Sequence, residues 1–239
     1  MKNIVFLTGS GISQESGIPT FRDSGSGLWN NYKVEDVADI NGYIKDPEYV
    51  LNFYNECRNQ IKSCKPNNAH KLIAELEKDT DLNVTVITQN VDNLHEQAGS
   101  TNVIHLHGDI TKGTSSDKPN DKLCIVTLQS DIKLGDKAYD GSQLRPYIVW
   151  FGESVPNYEV AKKILHDADI LIVVGTSLQV YPAALLIFEV PADKQIYIVD
   201  PNEVKFDDQQ AFEICPIKHI NKKASEGMKD IYDILVNKK

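Results

Sequence analysis

The chain is short of cysteine, of long apolar runs and of positive charge, and each shortage closes off a class of protein. Its four cysteines, at 57, 64, 124 and 215, form no C-x-x-C pair and no regular framework. A disulfide scaffold is therefore not expected, and reduced thiols in a cytoplasmic chain are. No apolar run approaches the roughly 20 residues of a membrane helix, and the first ends at Leu7, too short for a signal peptide. With 25 Lys and Arg against 34 Asp and Glu, the net charge is −9. That balance repels a phosphate backbone and argues against nucleic acid as an obligate partner, while basic proteins or peptides remain compatible. Internal repeats, heptads and low-complexity tails are also missing. What is left, 239 residues, fits one large domain with a smaller module inserted, and a monomer is expected.

The apolar runs that do occur are short and bounded by turn residues. Ile4–Leu7, Val84–Ile87, Asp169–Val174 and Gln195–Val199 read as buried parallel strands. Between them lie helical patterns: Val34 to Ile61, a helix after Asn67 or Asn68 carrying Ala69, Leu72, Ile73 and Leu76, Tyr158 to His166 burying Val160, Ala161, Ile164 and Leu165, and a last helix with Met228, Ile231, Tyr232 and Leu235. The alternation predicts an α/β fold, a Rossmann-like parallel sheet with helices on both faces. The inserted module is expected over about 30–66 (helical) and 109–143, where patches such as Leu123 to Leu128 suggest β-hairpins.

Polar residues cluster where strands stop, and the carboxyl ends of parallel strands are where such sheets bind ligands. The first strand runs into Gly9-Ser10-Gly11, whose backbone can turn sharply and approach an anion, although Gly-x-Gly also occurs at turns that bind nothing. A third fingerprint glycine is missing, since position 14 is Gln. Gln89, Asn90 and Asp92 follow the second strand and are well placed for a cofactor, with helix capping by Asp92 the plain structural alternative. Gly175-Thr176-Ser177 and Asp200-Pro201-Asn202 end two further strands. An acid at the latter position accepts ribose hydroxyls and disfavours a 2′-phosphate, pointing to NAD over NADP. His105 and His107 share one face of an expected strand from Val103 to Gly108. With His95 nearby a metal is conceivable, but no carboxylate or cysteine set completes a tetrahedral site, so no zinc is expected.

The block Gly9-Ser10-Gly11-Ile12-Ser13-x-x-Ser16-Gly17-Ile18-Pro19-x-Phe21-Arg22, with Thr88-Gln89-Asn90-Val91-Asp92 and His107-Gly108, resembles the signature of the sirtuins, the NAD-dependent protein deacylases. The Gly, Ser and Asp around Trp29 suggest a mobile loop over residues 22 to 32, and the resemblance implies that this is the cofactor-binding loop, with Phe21, Arg22 and Trp29 beside the nicotinamide. It implies that Asp92 and the Val91 backbone hold the carboxamide, that Asn90 orders water, that Gln89 meets the ribose, and that His107 is the catalytic base. Gly175, Thr176, Ser177 and Ala224 would lie on the adenine side. Val149, Phe151, Gly152 and Glu153 would pair with an acyl-lysine peptide as one strand of a clamp, and Leu178 and Val180 as the other. The products would be nicotinamide, O-acyl-ADP-ribose and free lysine.

Two family features differ. The structural zinc cysteines are absent, so the resemblance is to the zinc-less bacterial type. The Tyr-x-x-Arg pair that reads acidic acyl groups is Tyr54-x-x-Cys57 here, with a small residue, Ala38, widening the pocket. Arg58, one step on, points about 100° away on an ideal helix. Deacetylation is therefore expected over desuccinylation. The rivals are an NAD glycohydrolase or ADP-ribosyltransferase, and a non-catalytic NAD sensor.

Overall fold

A computed structural model of the chain describes residues 1–20, 32–204 and 216–236. Phe21, Arg22, Trp29, Cys215 and nearly all of the loop expected over 22 to 32 lie outside the described residues. Six parallel strands form the main sheet: β1 (Lys2–Thr8), β2 (Leu82–Thr88), β3 (Val103–His105), β7 (Ile170–Val174), β8 (Gln195–Val199) and β9 (Ile217–Ile220), in the order β3-β2-β1-β7-β8-β9. A second, antiparallel sheet has the order β5-β4-β6, with β4 at Gly108–Ser115, β5 at Val126–Thr127 and β6 at Leu144–Ile148.

Strand alternation sorts the main sheet's side chains into two cores. Ile4 and Phe6 of β1 pack with Ala69, Ile73 and Leu76 of helix α5 (Asn68–Leu76) and with Met228 and Ile231 of α8 (Ala224–Val236). Val5 and Leu7 face the other way, against Ala161 and Leu165 of α7 (Tyr158–His166) and Leu186 of a 3₁₀ helix over Ala183–Glu189. Burying each such aliphatic side chain contributes about 1.5–3 kcal/mol. Asn67 caps α5 by accepting from Ala69 N at 2.9 Å, and its amide donates to Ile12 O at 2.6 Å and Ser16 Oγ at 3.0 Å, which ties α5 to α1 (Ser10–Gln14).

The third core joins the small sheet to α2 (Val34–Val37), α3 (Ile40–Lys45) and α4 (Pro47–Ser63) through Val50, Phe53, Tyr54, Ile110, Ile148 and Trp150. Asp46 caps α4 through Tyr49 N at 3.0 Å, and Pro47 takes the first turn, where no N–H is needed. Polar side chains of α4 hold residues 130–132 in place. Asn55 exchanges bonds with the Ile132 backbone at 2.8 and 3.0 Å, and Arg58 donates to Asp131 Oδ1 at 2.9 Å and Ser130 O at 3.2 Å. Among the described residues no group of three His, Cys, Asp or Glu is placed to hold a metal ion, and no helix is long and apolar enough to cross a membrane.

Several expectations are corrected. The strand through Val103 to Gly108 is two strands, broken at Leu106 and His107, because Gly108 turns with φ +88°. Leu123 and Cys124 sit in a 3₁₀ turn, and only Val126 and Thr127 pair with β4. The strand that leads to the expected peptide edge at Val149–Glu153 is Leu144–Ile148, with Pro146 accommodated at a bulge. Val160 is 49 % exposed, one helical step from the buried Ala161. The sheet also gains β9 beyond β8.

Candidate active site

From β1 the chain proceeds to β2 and β3 on one side, and from β7 to β8 and β9 on the other. The order therefore reverses between β1 and β7, and a crevice opens at their carboxyl ends. A cavity of about 680 Å³ fills it. Four strand ends line this cavity: Gly9, Ser10 and Gly11 after β1, Gln89 to Asp92 after β2, Gly175, Thr176 and Ser177 after β7, and Asp200, Pro201 and Asn202 after β8. His107, Ala224, Ala38, Tyr54, Cys57, Val149, Phe151, Gly152, Glu153 and Val180 line it too.

Four expected contacts do not. Ile12 is fully buried in the sheet core, Ser16 is turned to Asn67, Arg58 is buried against Asp131 and Asn55, and Leu178 lies in the core under a strained backbone with φ +52°. The step round the helix thus takes Arg58 away from the cavity, where Cys57 stands instead.

The loops after β1 and β7 touch without room for a side chain. A Cβ on Gly11 would lie 2.7 Å from the Gly175 Cα, and one on Gly175, where φ is +62°, 2.3 Å from Ile12 N. Beside them, Asn90 and Asp92 are 8 % and 4 % exposed. Asn90 Nδ2 donates to Gly9 O and to Ser13 Oγ, both at 3.1 Å, and Ser13 Oγ donates to Asp92 Oδ2 at 3.0 Å. Asp92 Oδ1 also accepts from Leu94 N at 3.1 Å, so the capping and site readings of Asp92 both hold geometrically. Burial pushes its pKa up, opposed by the Leu94 and Ser13 hydrogen bonds. Each carboxylate oxygen keeps a lone pair, which suits the NH₂ of a carboxamide. Ser13 stands in the signature block with no role attached there, because its partners Asn90 and Asp92 come from a strand distant in sequence.

His107 occupies the break between β3 and β4. Its Nδ1 lies 2.9 Å from Gln89 O, a carbonyl that can only accept, so Nδ1 carries the proton and Nε2 keeps the lone pair. Burial lowers its pKa, partly offset by that bond, and the ring is a neutral base at neutral pH. His105 is different. Burial opposes its charge, but the Glu96 carboxylate at 2.8 Å outweighs it and raises the pKa. His105 also donates to Asn90 O at 3.0 Å and so braces the site loop.

Glu153, expected to meet substrate, is taken by Arg145 at 2.7 and 2.8 Å and by Trp150 N at 2.9 Å. Arg145 in turn stacks on the Trp150 ring at 3.8 Å. Phe151 has its N–H and carbonyl paired with Ala38 O and Ile40 N. Among the described residues, the Val149 and Glu153 carbonyls and both backbone groups of Gly152 make no backbone–backbone bond, so the edge expected to meet a peptide keeps open groups along its length.

The residues from 9 to 182 match the Sir2 family model. The chain belongs to the Sir2 family. An NAD-dependent protein deacylase of Bacteroides thetaiotaomicron is 51 % identical over 239 residues, covering 99 % of both chains. Another, from Helicobacter pylori, is 46 % identical over 236 residues, covering 99 % of this chain and 98 % of that one. A Sir2 homologue solved with NAD superposes with a TM-score of 0.84 at 38 % identity, covering 99 % of this chain and 90 % of the other. A second, solved with ADP-ribose, gives 0.85 at 37 %, covering 99 % and 93 %.

This Sir2 fold keeps two more histidines behind the site. His70 and His95 meet edge to face, 4.9 Å between ring centroids, and His95 Nε2 lies 3.0 Å from Thr8 Oγ1 at the end of β1. Burial lowers the pKa of His70 to about 4 and that of His95 well below 6.5, the latter helped by the neighbouring His70 and His105 charges. The unfolded chain binds protons near pH 6.5 that the folded chain refuses, so stability is full above that pH and falls as pH drops towards 4. His70 alone is expected to remove about 2.5 kcal/mol by pH 4.5. Urea unfolding at pH 7.5 and 4.5 checks this: the fall should be smaller in His70→Phe, and an equal fall in both proteins refutes it.

Proposed function

We propose that the chain is an NAD-dependent protein-lysine deacylase that favours acetyl over succinyl groups. The family membership and the two deacylase relatives support the activity. The observation that carries the chemistry is one crevice lined by both the buried Asn90–Ser13–Asp92 cluster and a neutral His107. Bound NAD supplies the ribose that accepts the acyl group, so that acyl-lysine, NAD and water become lysine, O-acyl-ADP-ribose and nicotinamide.

The chain's own residues divide that work. Asp92 and the Val91 backbone hold the carboxamide, with Ser13 keeping the carboxylate in register. Asn90 directs water through its amide oxygen, since its Nδ2 is already committed. Gln89, bonded to Thr176 Oγ1 at 3.1 Å, stands between the nicotinamide and adenine sides. Asp200, whose Oδ1 accepts from Asn202 N at 2.8 Å, disfavours a 2′-phosphate. His107 Nε2 takes a ribose hydroxyl proton. Gly152 and the stretch at Val180 clamp the peptide backbone, so recognition tolerates varied peptide sequence. Phe21, Arg22 and Trp29 complete the nicotinamide side in this reading.

The acetyl preference rests on Cys57. Burial pushes its thiol up to about 12, so it is neutral and offers no bidentate partner to a carboxylate. The test is nicotinamide release by the purified protein with NAD alone, with acetyl-lysine peptide and with succinyl-lysine peptide. Release that needs acetyl peptide is expected. Release without peptide would move the assignment to a glycohydrolase or transferase, no release to a sensor, and a succinyl preference would overturn the acyl assignment.

A further inference from the structure

Three consecutive carbonyls of the loop after β2 are held from outside that loop. Gln89 O accepts from His107 Nδ1 at 2.9 Å, Asn90 O from His105 Nδ1 at 3.0 Å, and Val91 O from Ile110 N at 2.9 Å. The middle carbonyl shares one planar trans peptide unit with the Val91 N–H, and in such a unit the C=O and N–H bonds point in opposite directions. Fixing the oxygen on the His105 side therefore aims the Val91 N–H the other way. Among the described residues that N–H is not spent on another backbone group, and Val91 lines the cavity.

His105 faces an acceptor at each ring nitrogen. Asn90 O can only accept, and so can the Glu96 carboxylate, whose Oε1 lies 2.8 Å from Nε2. The imidazolium satisfies both, whereas either neutral tautomer turns a lone pair on one of them. Burial opposes the charge, but the Glu96 bond and charge, the Asn90 carbonyl and Asp109 outweigh it. Asp109 is itself paired with Lys112 at 2.9 Å. The other titratable groups that feel this ring are Asp92 and His95, the latter kept neutral by burial. Asn157 Nδ2 fixes the backbone of the same residue at His105 O, 2.8 Å. A charged donor also polarises the carbonyl it holds, which makes the N–H at the far end of that peptide a stronger donor.

Taking as its basis the deacylase reading, in which Asp92 and the Val91 N–H hold the carboxamide of NAD, we infer that His105, paired with Glu96, is a positioning residue for that contact: by holding the Asn90 carbonyl it aims the Val91 N–H at the carboxamide. Two histidines two residues apart then divide the work, His107 serving the ribose hydroxyl and His105 the grip on the nicotinamide.

The experiment measures, by calorimetry, the Kd of NAD and of ADP-ribose, which lacks the nicotinamide, for the unaltered protein, His105→Leu and His105→Asn. Leucine removes the donor, and asparagine keeps an uncharged N–H near the place of Nδ1. His105→Leu should weaken NAD about fivefold or more and ADP-ribose less than about twofold, and His105→Asn should recover most of the NAD loss. An equal loss on both ligands overturns the inference, as does an asparagine variant no better than leucine. The pH dependence is a second readout. His105 has its pKa raised above 6.5, so its charge is present at pH 6 and is lost as pH rises through the folded pKa. The affinity for NAD relative to ADP-ribose should therefore fall between pH 6 and 9.5 in the unaltered protein and stay level in His105→Asn, and a level profile in both overturns the charged brace. An NAD Kd unmoved by either variant, with acetyl-lysine peptide turned over, overturns the inference and leaves the deacylase reading standing. No turnover of that peptide, with the NAD loss and its asparagine rescue both seen, removes the deacylase reading and leaves the grip on NAD.

Discussion

His107→Ala is expected to cut deacylation about 10³-fold while NAD still binds. The ring is fixed by one backbone acceptor, Gln89 O, and contributes little packing that alanine removes beyond the cavity wall. The loss should therefore fall on turnover and spare stability. A companion result concerns pH. Burial holds the imidazole below its ordinary pKa, so the base stays competent as pH falls through 6.5. The acid limb of kcat/KM should have its midpoint under that value. A variant retaining more than a tenth of the activity, or an acid limb above 7, would remove His107 from the role of base.

Gly175→Ala is the second large effect, and it acts on structure first. Two penalties coincide there. The backbone is left-handed at φ +62°, and the new methyl would overlap Ile12 N and the Gly11 carbonyl carbon, 2.3 and 2.5 Å away. Strain of 1–3 kcal/mol is ordinary for such a conformation, and relieving the overlap requires the β1 and β7 loops to part, for a total of about 3 kcal/mol. For a chain of this size that lowers the melting temperature by about 6–12 °C. NAD-dependent activity should fall with it, because the displaced loop is the cavity floor. Gly141→Ala is the control: φ is +84° but nothing lies within 4 Å of the added methyl. Equal melting temperatures for the two variants would show that the loop contact carries no weight.

Much of this was legible because it is local. Ile4–Leu7 and Ile170–Val174 are buried on both faces and leave no alternative to a central parallel strand. Asn67 announces its helix by side-chain chemistry, and Asp92 and His107 stand at strand ends that a sheet brings together. The harder parts depend on partners distant in sequence. β9 alternates weakly, is only half-buried, and exists because β8 offers an edge. Ser13 matters only once β2 delivers Asn90 and Asp92 to it. The Glu153 side chain has a structural partner the sequence does not announce, Arg145 folded back over Trp150.

The small sheet leaves the large one at Leu106 and His107 and is stitched back at the same point by Val149 N to His107 O, 3.0 Å. Its core is separate from the two that sandwich the main sheet. The two bodies also meet at Ile110 N to Val91 O, 2.9 Å, in the site loop after β2. His107 thus lies in the seam itself: the large sheet holds its ring through Gln89 O, and the small module holds its carbonyl through Val149 N.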